Sequence, residues 1–462
     1  MYVIDRGAKR MTNRYQNQNV LVLGYALTGK SVVDYLLREN ANITLNDRGD
    51  LSQDPSVDLL LKAGVKVVDG GHPIELLEGI DMVVKSPVIP YSIEIIQEAI
   101  HQKIPVYTDV ELAYLHSQAP IIGITGSNGK TTTTSLIQEI LNKGIEGQAF
   151  LAGNIGIPSL EVAQMASEND RIVMELSSFQ LMGIENFRPK IAVFTNIYSA
   201  HLDFHGSREE YVRAKLQLIK NLTAEDYLVY NADQEELVEL LADSPAIKCP
   251  FSRKEYLEKG ACLANQGLYY DGERILEQSS IAMPGDHNIE NVLAAMAVAK
   301  IEGVANDDIE QVVSQYHGMP HRIQYFATYQ GVKYYNDSKA TNTTATITAL
   351  KSFEQDLIYI GGGLDRGNDF KDLIPYLKTV KAAYLYGESK EKMAHDFQAA
   401  GVPRIETVEN LAEASRRAIE MSQPGQVVLF SPACASWDQY QNYEVRGQEF
   451  MDQVHDYCRG LE

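Results

Sequence analysis

Short, unbroken apolar runs alternate along this chain with stretches whose apolar positions recur at helical spacing. The run Asn19-Val-Leu-Val-Leu-Gly24 is followed by an amphipathic stretch from Thr28 to Glu39 and then by Asn42-Ile-Thr-Leu-Asn46. Runs this short, continuous and closed by Gly, Asn or Asp predict strands buried on both faces, because a strand with one wet face would alternate instead. Asp81-Met-Val-Val-Lys85 and Ile104-Pro-Val-Tyr107 continue the series. A second series opens near Asp109, with strands at Pro120–Thr125, Arg171–Glu175, Ile191–Asn196 and Tyr227–Tyr230. It includes a helical pattern from Lys130 to Lys143, a polar β-like stretch around Leu268-Tyr-Tyr270, and an Ala-rich helix from His287 to Lys300. A third series follows the punctuating His317-Gly-Met-Pro320, with strands at Val332–Tyr335, Leu357–Ile360, Ala383–Tyr386 and Val427–Phe430.

Strands alternating with helices predict an α/β chain, and three series predict three domains, at 1–108, 109–318 and 319–462. At roughly 150 residues per domain, 462 residues lead to the same number. In open parallel sheets ligands sit beyond the carboxyl ends of the strands, so the chemistry is expected there.

Composition narrows the function. Acidic residues outnumber basic ones 62 to 41, a formal charge of -21, which argues against nucleic-acid or anionic-membrane partners held by overall charge. Cys249, Cys262, Cys434 and Cys458 form no CxxC pair, so neither a zinc site nor a disulfide framework is expected. No apolar run approaches the roughly 20 residues of a membrane span, and the first twenty residues lack the apolar core of a signal peptide. The expected compartment is the cytoplasm, and the expected state a monomer.

The sharpest chemistry lies at strand ends. Gly126-Ser127-Asn128-Gly129-Lys130-Thr131-Thr132 follows an apolar strand and opens a helix. Backbone amides and the helix N-terminus face an anion in such a loop, Lys130 adds a charge, and the Thr131 hydroxyl reaches Mg²⁺. Ile124 stands where the common G-x-x-x-x-G-K-[ST] form has its first glycine. Glu175, at the end of its strand, suits a second Mg²⁺ ligand, or else a helix cap. His201, in Asn196-Ile-Tyr-Ser-Ala-His201-Leu-Asp203, reads as a metal ligand through a neutral ring nitrogen or as a structural histidine. Asn288 and Asn291, in Asp286-His-Asn-Ile-Glu-Asn291, suit an adenine edge, and Asn288 also suits an N-cap. Arg322 and Asp337 open the third domain, a guanidinium for the transferred phosphate and a carboxylate for ribose or that arginine. Arg366, in Gly361-Gly-Gly-Leu-Asp-Arg366, offers a cation to a substrate carboxylate. Cys434 reads as a small buried residue. Gly24-Tyr-Ala-Leu-Thr-Gly29 follows the first strand but is not G-x-G-x-x-G, and the second strand ends in Asn46-Asp47-Arg48, which suits uridine and pyrophosphate better than an NAD ribose.

The T-G-S-N-G-K-T loop resembles that of the Mur ligase family, which includes folylpolyglutamate synthetases. Gly153-Asn154-Ile-Gly156 and the Asn196–Asp203 and Asp286–Asn291 strings resemble the family's further motifs. Asp337-Ser-Lys339-Ala-Thr341-Asn342 and Ser431-Pro-Ala-Cys-Ala-Ser436-Trp-Asp-Gln-Tyr440, with Tyr443, resemble the branch that adds D-glutamate. The resemblance implies a Rossmann-like N-terminal domain, a central P-loop ATPase domain and a Rossmann-like C-terminal domain. It implies that Leu27, Thr28, Asp47, Arg48, Ser86 and Asn154 hold a UDP-linked substrate. Ser86 lies in Lys85-Ser-Pro-Val88, where Val88 replaces the family's usual glycine. Lys339, Thr341, Arg366, Ser436 and Tyr443 would hold D-glutamate. Two Mg²⁺ ions are implied, one on Thr131 and Glu175 and one near His201 and Lys215. On its residues alone Lys215 reads as a solvated helix lysine; the resemblance implies that CO₂ carbamylates it into an oxygen ligand. With Lys130, His201 and Lys215 as the catalytic set, the implied reaction is ATP-dependent addition of D-glutamate to UDP-N-acetylmuramoyl-L-alanine through an acyl phosphate, in peptidoglycan precursor synthesis. A pterin-directed ligase of the folylpolyglutamate type and a non-catalytic nucleotide-binding regulator are the alternatives.

Overall fold

The computed structural model describes residues 13–52, 54–198, 205–283, 285–353, 355–367 and 369–460. The chain divides between Tyr316 and His317 into two compact units.

The first unit holds two sheets. In the first sheet, β1 (Asn19–Leu23), β2 (Asn42–Asn46), β3 (Lys66–Val68), β4 (Met82–Lys85) and β5 (Val106–Tyr107) lie in the order β3-β2-β1-β4-β5, all parallel. Val20 and Val22 enter one apolar cluster while Leu21 and Leu23 enter another, which is why β1 reads as an unbroken apolar run. The chain crosses from β3 back to β4 on the other side of β1, leaving a switch point at the β1 and β4 carboxyl ends. The strand expected over Ile104–Tyr107 shrinks to two residues. Ile104 N–H closes the preceding helix on Ala99 O at 2.8 Å, and Pro105 has no N–H to offer a neighbour.

The second sheet comprises β6 (Ile121–Thr125), β7 (Ala149–Gly153), β8 (Arg171–Glu175), β9 (Ile191–Phe194), β10 (Tyr227–Asn231), β11 (Ile247–Ser252), β12 (Ala261–Ala264), β13 (Gly267–Tyr270) and β14 (Glu273–Glu277). Its order is β14-β13-β12-β11-β10-β9-β6-β8-β7. It is parallel from β7 to β12, and β12, β13 and β14 then extend it antiparallel. The polar stretch around Leu268–Tyr270 is the middle strand of that extension. Its turns, Asn265-Gln266 and Asp271-Gly272, have positive φ at both residues, the twist a two-residue hairpin needs. The Ala-rich helix Asp286–Ile301 is buried around nearly its whole circumference and lies against helix Lys130–Gly144.

The second unit carries β15 (Gln324–Tyr329), β16 (Val332–Asn336), β17 (Leu357–Gly362), β18 (Val380–Tyr386), β19 (Arg404–Thr407) and β20 (Val427–Phe430), ordered β15-β16-β20-β17-β18-β19. Only the β15–β16 pair is antiparallel. Apolar clusters cover both faces, as parallel strands require.

Candidate functional site

β6 delivers the glycine loop, and Lys130 begins the helix after it. The loop conformation requires its glycines. Gly126 has φ +151° and Gly129 φ +79°, and a Cβ would collide with the Thr195 hydroxyl at the first and with the Asn291 amide at the second. The segment that follows β9 supports the loop. Asn128 N–H donates to Asn196 Oδ1 at 2.8 Å, Thr195 Oγ1 donates to Asn128 O at 2.6 Å, and Ser127 N–H donates to Asn196 O at 3.0 Å. Ser127 Oγ lies 2.8 Å from the Tyr211 hydroxyl. Lys130 Nζ donates to Gly126 O and Ser127 O at 2.8 and 2.9 Å, so its charge sits at the loop. Thr132 is half-buried one residue beyond Thr131.

Thr131 and Glu175 meet here: the hydroxyl donates to Glu175 Oε2 at 2.7 Å, and Asn154 Nδ2 donates to Oε1 at 2.8 Å. A hydroxyl and a buried carboxylate side by side at a phosphate loop fit Mg²⁺, which takes few protein oxygens and completes its shell with phosphate and water. Asn154, implied as a ligand of the UDP-linked substrate, orients this carboxylate.

Lys215 is not a solvated helix lysine. It is 2% exposed, and its Nζ donates to Gly126 O at 2.8 Å and to Thr125 Oγ1 at 3.3 Å, with the Tyr211 ring centroid at 4.8 Å. Burial, then the Lys130 charge, holds its pKa well below that of an ordinary lysine, against the pull of Glu175. His201 and Asp203 lie outside the described residues. Asn288 is not an N-cap: that place belongs to Gly285, and Asn288 stands inside the first turn. Its Oδ1 accepts from Asn291 Nδ2 at 3.1 Å, and Asn291 Oδ1 accepts from Thr133 at 3.2 Å beneath Gly129.

At the first sheet, Gly24 has φ +92° and its N–H donates to Asn46 O at 2.8 Å, while a Cβ on Gly29 would collide with Gly24 O. This tight turn opens helix Leu27–Arg38, whose N-cap, Ala26, supplies no side-chain acceptor. Asp47 shapes the edge by accepting from Tyr25 N–H at 2.7 Å and Gly49 N–H at 2.8 Å. Thr28 and Ser86 are half-buried there, Arg48 is exposed, and the apolar Leu27 and Val88 stand 67% and 75% exposed. Lys85, ending β4, is fully buried, donates to Ser86 O and Pro87 O at 3.2 Å each, and has the Tyr91 ring centroid at 4.7 Å. Burial pushes its pKa down to about 7.

In the second unit, Asp337 is buried and accepts from Ser431 Oγ at 2.6 Å and from Ile323 N–H at 3.1 Å. Burial raises its pKa to about 7, against those two hydrogen bonds and the Arg322 charge, and Arg322 itself is exposed. Lys339 Nζ lies 5.6 Å from the Tyr443 ring centroid, Thr341 is half-buried, and Ser436 is buried. Arg446 binds the neighbouring segments together: its guanidinium, wholly buried, donates to Ser338 Oγ and O at 3.1 and 2.8 Å and to Cys434 O at 3.1 Å. Ser338 Oγ in turn donates to Tyr443 O at 2.8 Å. Burial lifts the Cys434 thiol to about 11, in keeping with a packing role.

Four supporting residues carried no assigned role in the sequence. Asn196 and Lys85 had a usable signal, a polar residue closing an apolar strand. Tyr211 and Arg446 had none, since each sits in a helix that reads as solvated.

Three family models match the chain: "Mur ligase MurD-like, N-terminal domain" over residues 18–108, "Mur ligase middle domain" over 124–299, and "Mur ligase, glutamate ligase domain" over 321–434. The UDP-N-acetylmuramoylalanine--D-glutamate ligase of Enterococcus hirae is 49% identical over 451 residues, covering 97% of this chain and 98% of the relative. The enzyme of the same name from Listeria innocua is 47% identical, with the same shares covered. Among solved structures, the MurF ligase of Thermotoga maritima in complex with ADP shares the fold, with TM-score 0.51, 16% identity and 98% of each chain covered.

Proposed function

From the chain's place in the Mur ligase family, to which it belongs, we propose that it joins D-glutamate to UDP-N-acetylmuramoyl-L-alanine with ATP, as a monomer in the cytoplasm. The observation that carries the reading is the convergence of Lys130, Thr131, Glu175 and Lys215 on one glycine loop. In this reading the loop amides and Lys130 hold the ATP phosphates. Thr131 and Glu175 would hold Mg²⁺, whose charge would screen the repulsion between two approaching anions. The muramoyl carboxylate oxygen bonds the γ-phosphorus as the bond to the ADP oxygen breaks. The D-glutamate nitrogen then bonds the acyl carbon, inorganic phosphate leaves, and the amine sheds its proton. Lys339, Thr341, Ser436 and Tyr443 receive the amino acid, the Gly24 turn with Leu27, Thr28, Asp47, Arg48 and Ser86 receives the UDP portion, and Arg322 meets the transferred phosphate.

Lys215 supports a further step. A lysine buried beside a phosphate loop, its pKa depressed, offers a neutral amine to CO₂. Its nitrogen bonds the carbon and a proton leaves; the resulting carbamate would offer oxygen donors able to hold a second Mg²⁺, for which the family resemblance also implies His201.

Phosphate release from ATP tests the assignment. It is expected only when the muramoyl substrate and D-glutamate are both present; release with neither, or with a pterin substrate instead, would overturn it. For the carbamate, Lys215→Ala is expected to abolish turnover, with partial recovery on adding short-chain carboxylates. Full activity in that variant would remove the carbamate from the mechanism.

A further inference from the structure

Arg366 is exposed beyond β17, at the carboxyl edge of the third sheet. Carboxylates close to it in sequence are engaged elsewhere: Asp365 lies 2.6 Å from Lys392 Nζ, and Asp369 lies 3.4 Å from Lys371 Nζ. Among the described residues, the group meeting its guanidinium is the ring of Trp437, 4.8 Å from the ring centroid. Trp437 follows Ser436 directly, is 65% exposed, and is the single tryptophan of the chain. Little of that large ring is buried, so packing does not explain it.

The geometry of the pair does. A guanidinium carries its five N–H donors in its own plane, whereas an aromatic ring engages its face. Contact with the ring face therefore restrains where the group sits and leaves N–H donors free for a planar acceptor that takes two parallel hydrogen bonds, as a carboxylate does. An exposed arginine without such a platform loses more side-chain freedom when it grips a ligand.

We propose that Trp437 is a positioning residue: its ring orients Arg366 toward a carboxylate of the incoming amino acid, so that the pair selects acidic over neutral amino acids. This rests on the D-glutamate reading and adds to it a residue that the reading did not assign. Neither side chain is part of the packed core, so substitutions at both positions leave the fold intact.

Steady-state kinetics of the full chain test the pair. Trp437→Ala is expected to raise KM for D-glutamate by about five- to tenfold, leaving kcat and the KM for ATP unchanged. Trp437→Phe, which keeps an aromatic face, should stay within about twofold of the parent. In an Arg366→Ala background, Trp437→Ala should add nothing, an outcome that a general structural role would not produce. Tryptophan emission supplies an independent reading: D-glutamate added with Mg-ADP and the muramoyl substrate should shift it, and the shift should vanish in Arg366→Ala. An unchanged KM in Trp437→Ala, or an equal further rise in the Arg366→Ala background, would overturn the proposal. A parent enzyme that ignores D-glutamate would instead overturn the substrate reading beneath it.

Discussion

Lys85 and Asp337 are buried ionisable groups at the carboxyl edges of two sheets, and both have pKa values near 7 for the same reason. Burial penalises the charged form, lowering the lysine and raising the carboxyl. The two act on stability with opposite signs. Asp337 binds a proton in the fold where the unfolded chain has lost it, so its contribution is full below about pH 4 and is lost as pH rises to about 7. Lys85 is neutral in the fold where the unfolded chain holds a proton, so its contribution is full above about pH 10 and is lost as pH falls to about 7. Thermal melts should accordingly depend less on pH in Asp337→Asn between about 4 and 7, and in Lys85→Met between about 7 and 10. Lys85→Met should also raise KM for the UDP-linked substrate about tenfold, roughly 1.4 kcal/mol, because an anion bound near Ser86 draws a proton onto the Lys85 amine and the variant has no such group to charge. The same change should leave the protein as stable as before or slightly more so, since it removes a buried amine with no ion-pair partner among the described residues, one that must be desolvated and must shed its proton to be buried. A destabilised variant with normal KM would assign Lys85 to the fold alone.

The elements repeat one device, a buried parallel strand that ends in a polar loop. Where the strand is central, with apolar residues on both faces, the sequence reveals it: β1, β4, β6, β8, β9, β16, β17, β18 and β20 all appear as apolar runs. The strands that escaped are mostly at or near sheet edges. β3, β14 and β19 carry exposed or half-buried residues, so no continuous run marks them. β11 escaped for another reason, Pro250 in its middle; β12 pairs only with Phe251 and Ser252, beyond the proline. The phosphate loop is tightly constrained, since Gly126 and Gly129 admit no side chain. Gly129→Ala forces a Cβ into a left-handed residue, at about 1–2 kcal/mol, and into the Asn291 amide. We expect KM for Mg-ATP to rise at least about tenfold while the KM for the UDP-linked substrate stays put; equal losses for both ligands would point to a misfolded second sheet.

At the scale of the molecule, a chain of charge -21 has to bind anions, so its cations must act locally against an unfavourable overall field. In the proposed reading they do so at sheet edges: Lys130 at the second sheet, Lys339 and Arg366 in the second unit, and Lys85 at the first once an anion draws a proton onto it. Each ligand should therefore leave its own footprint. Hydrogen exchange with Mg-ADP alone is expected to slow in residues 126–132 and in helix Arg208–Leu216, while residues 431–443 keep their rates. Uniform slowing along the chain would contradict separate sites.

Three α/β series, the glycine loop and the strand-end strings were legible without coordinates, because strand burial and loop chemistry are written in adjacent residues. Which cations are desolvated was not. Lys215 reaches Gly126 across 89 residues of chain and Arg446 reaches Ser338 across 108, and in sequence both look like ordinary charges on helices. Trp437 likewise acquires a meaning only when Arg366, from another strand end, lies over its ring. Local pattern determines where the backbone runs; desolvation and ring stacking depend on what the folded chain brings alongside, and so only the tertiary structure decided them.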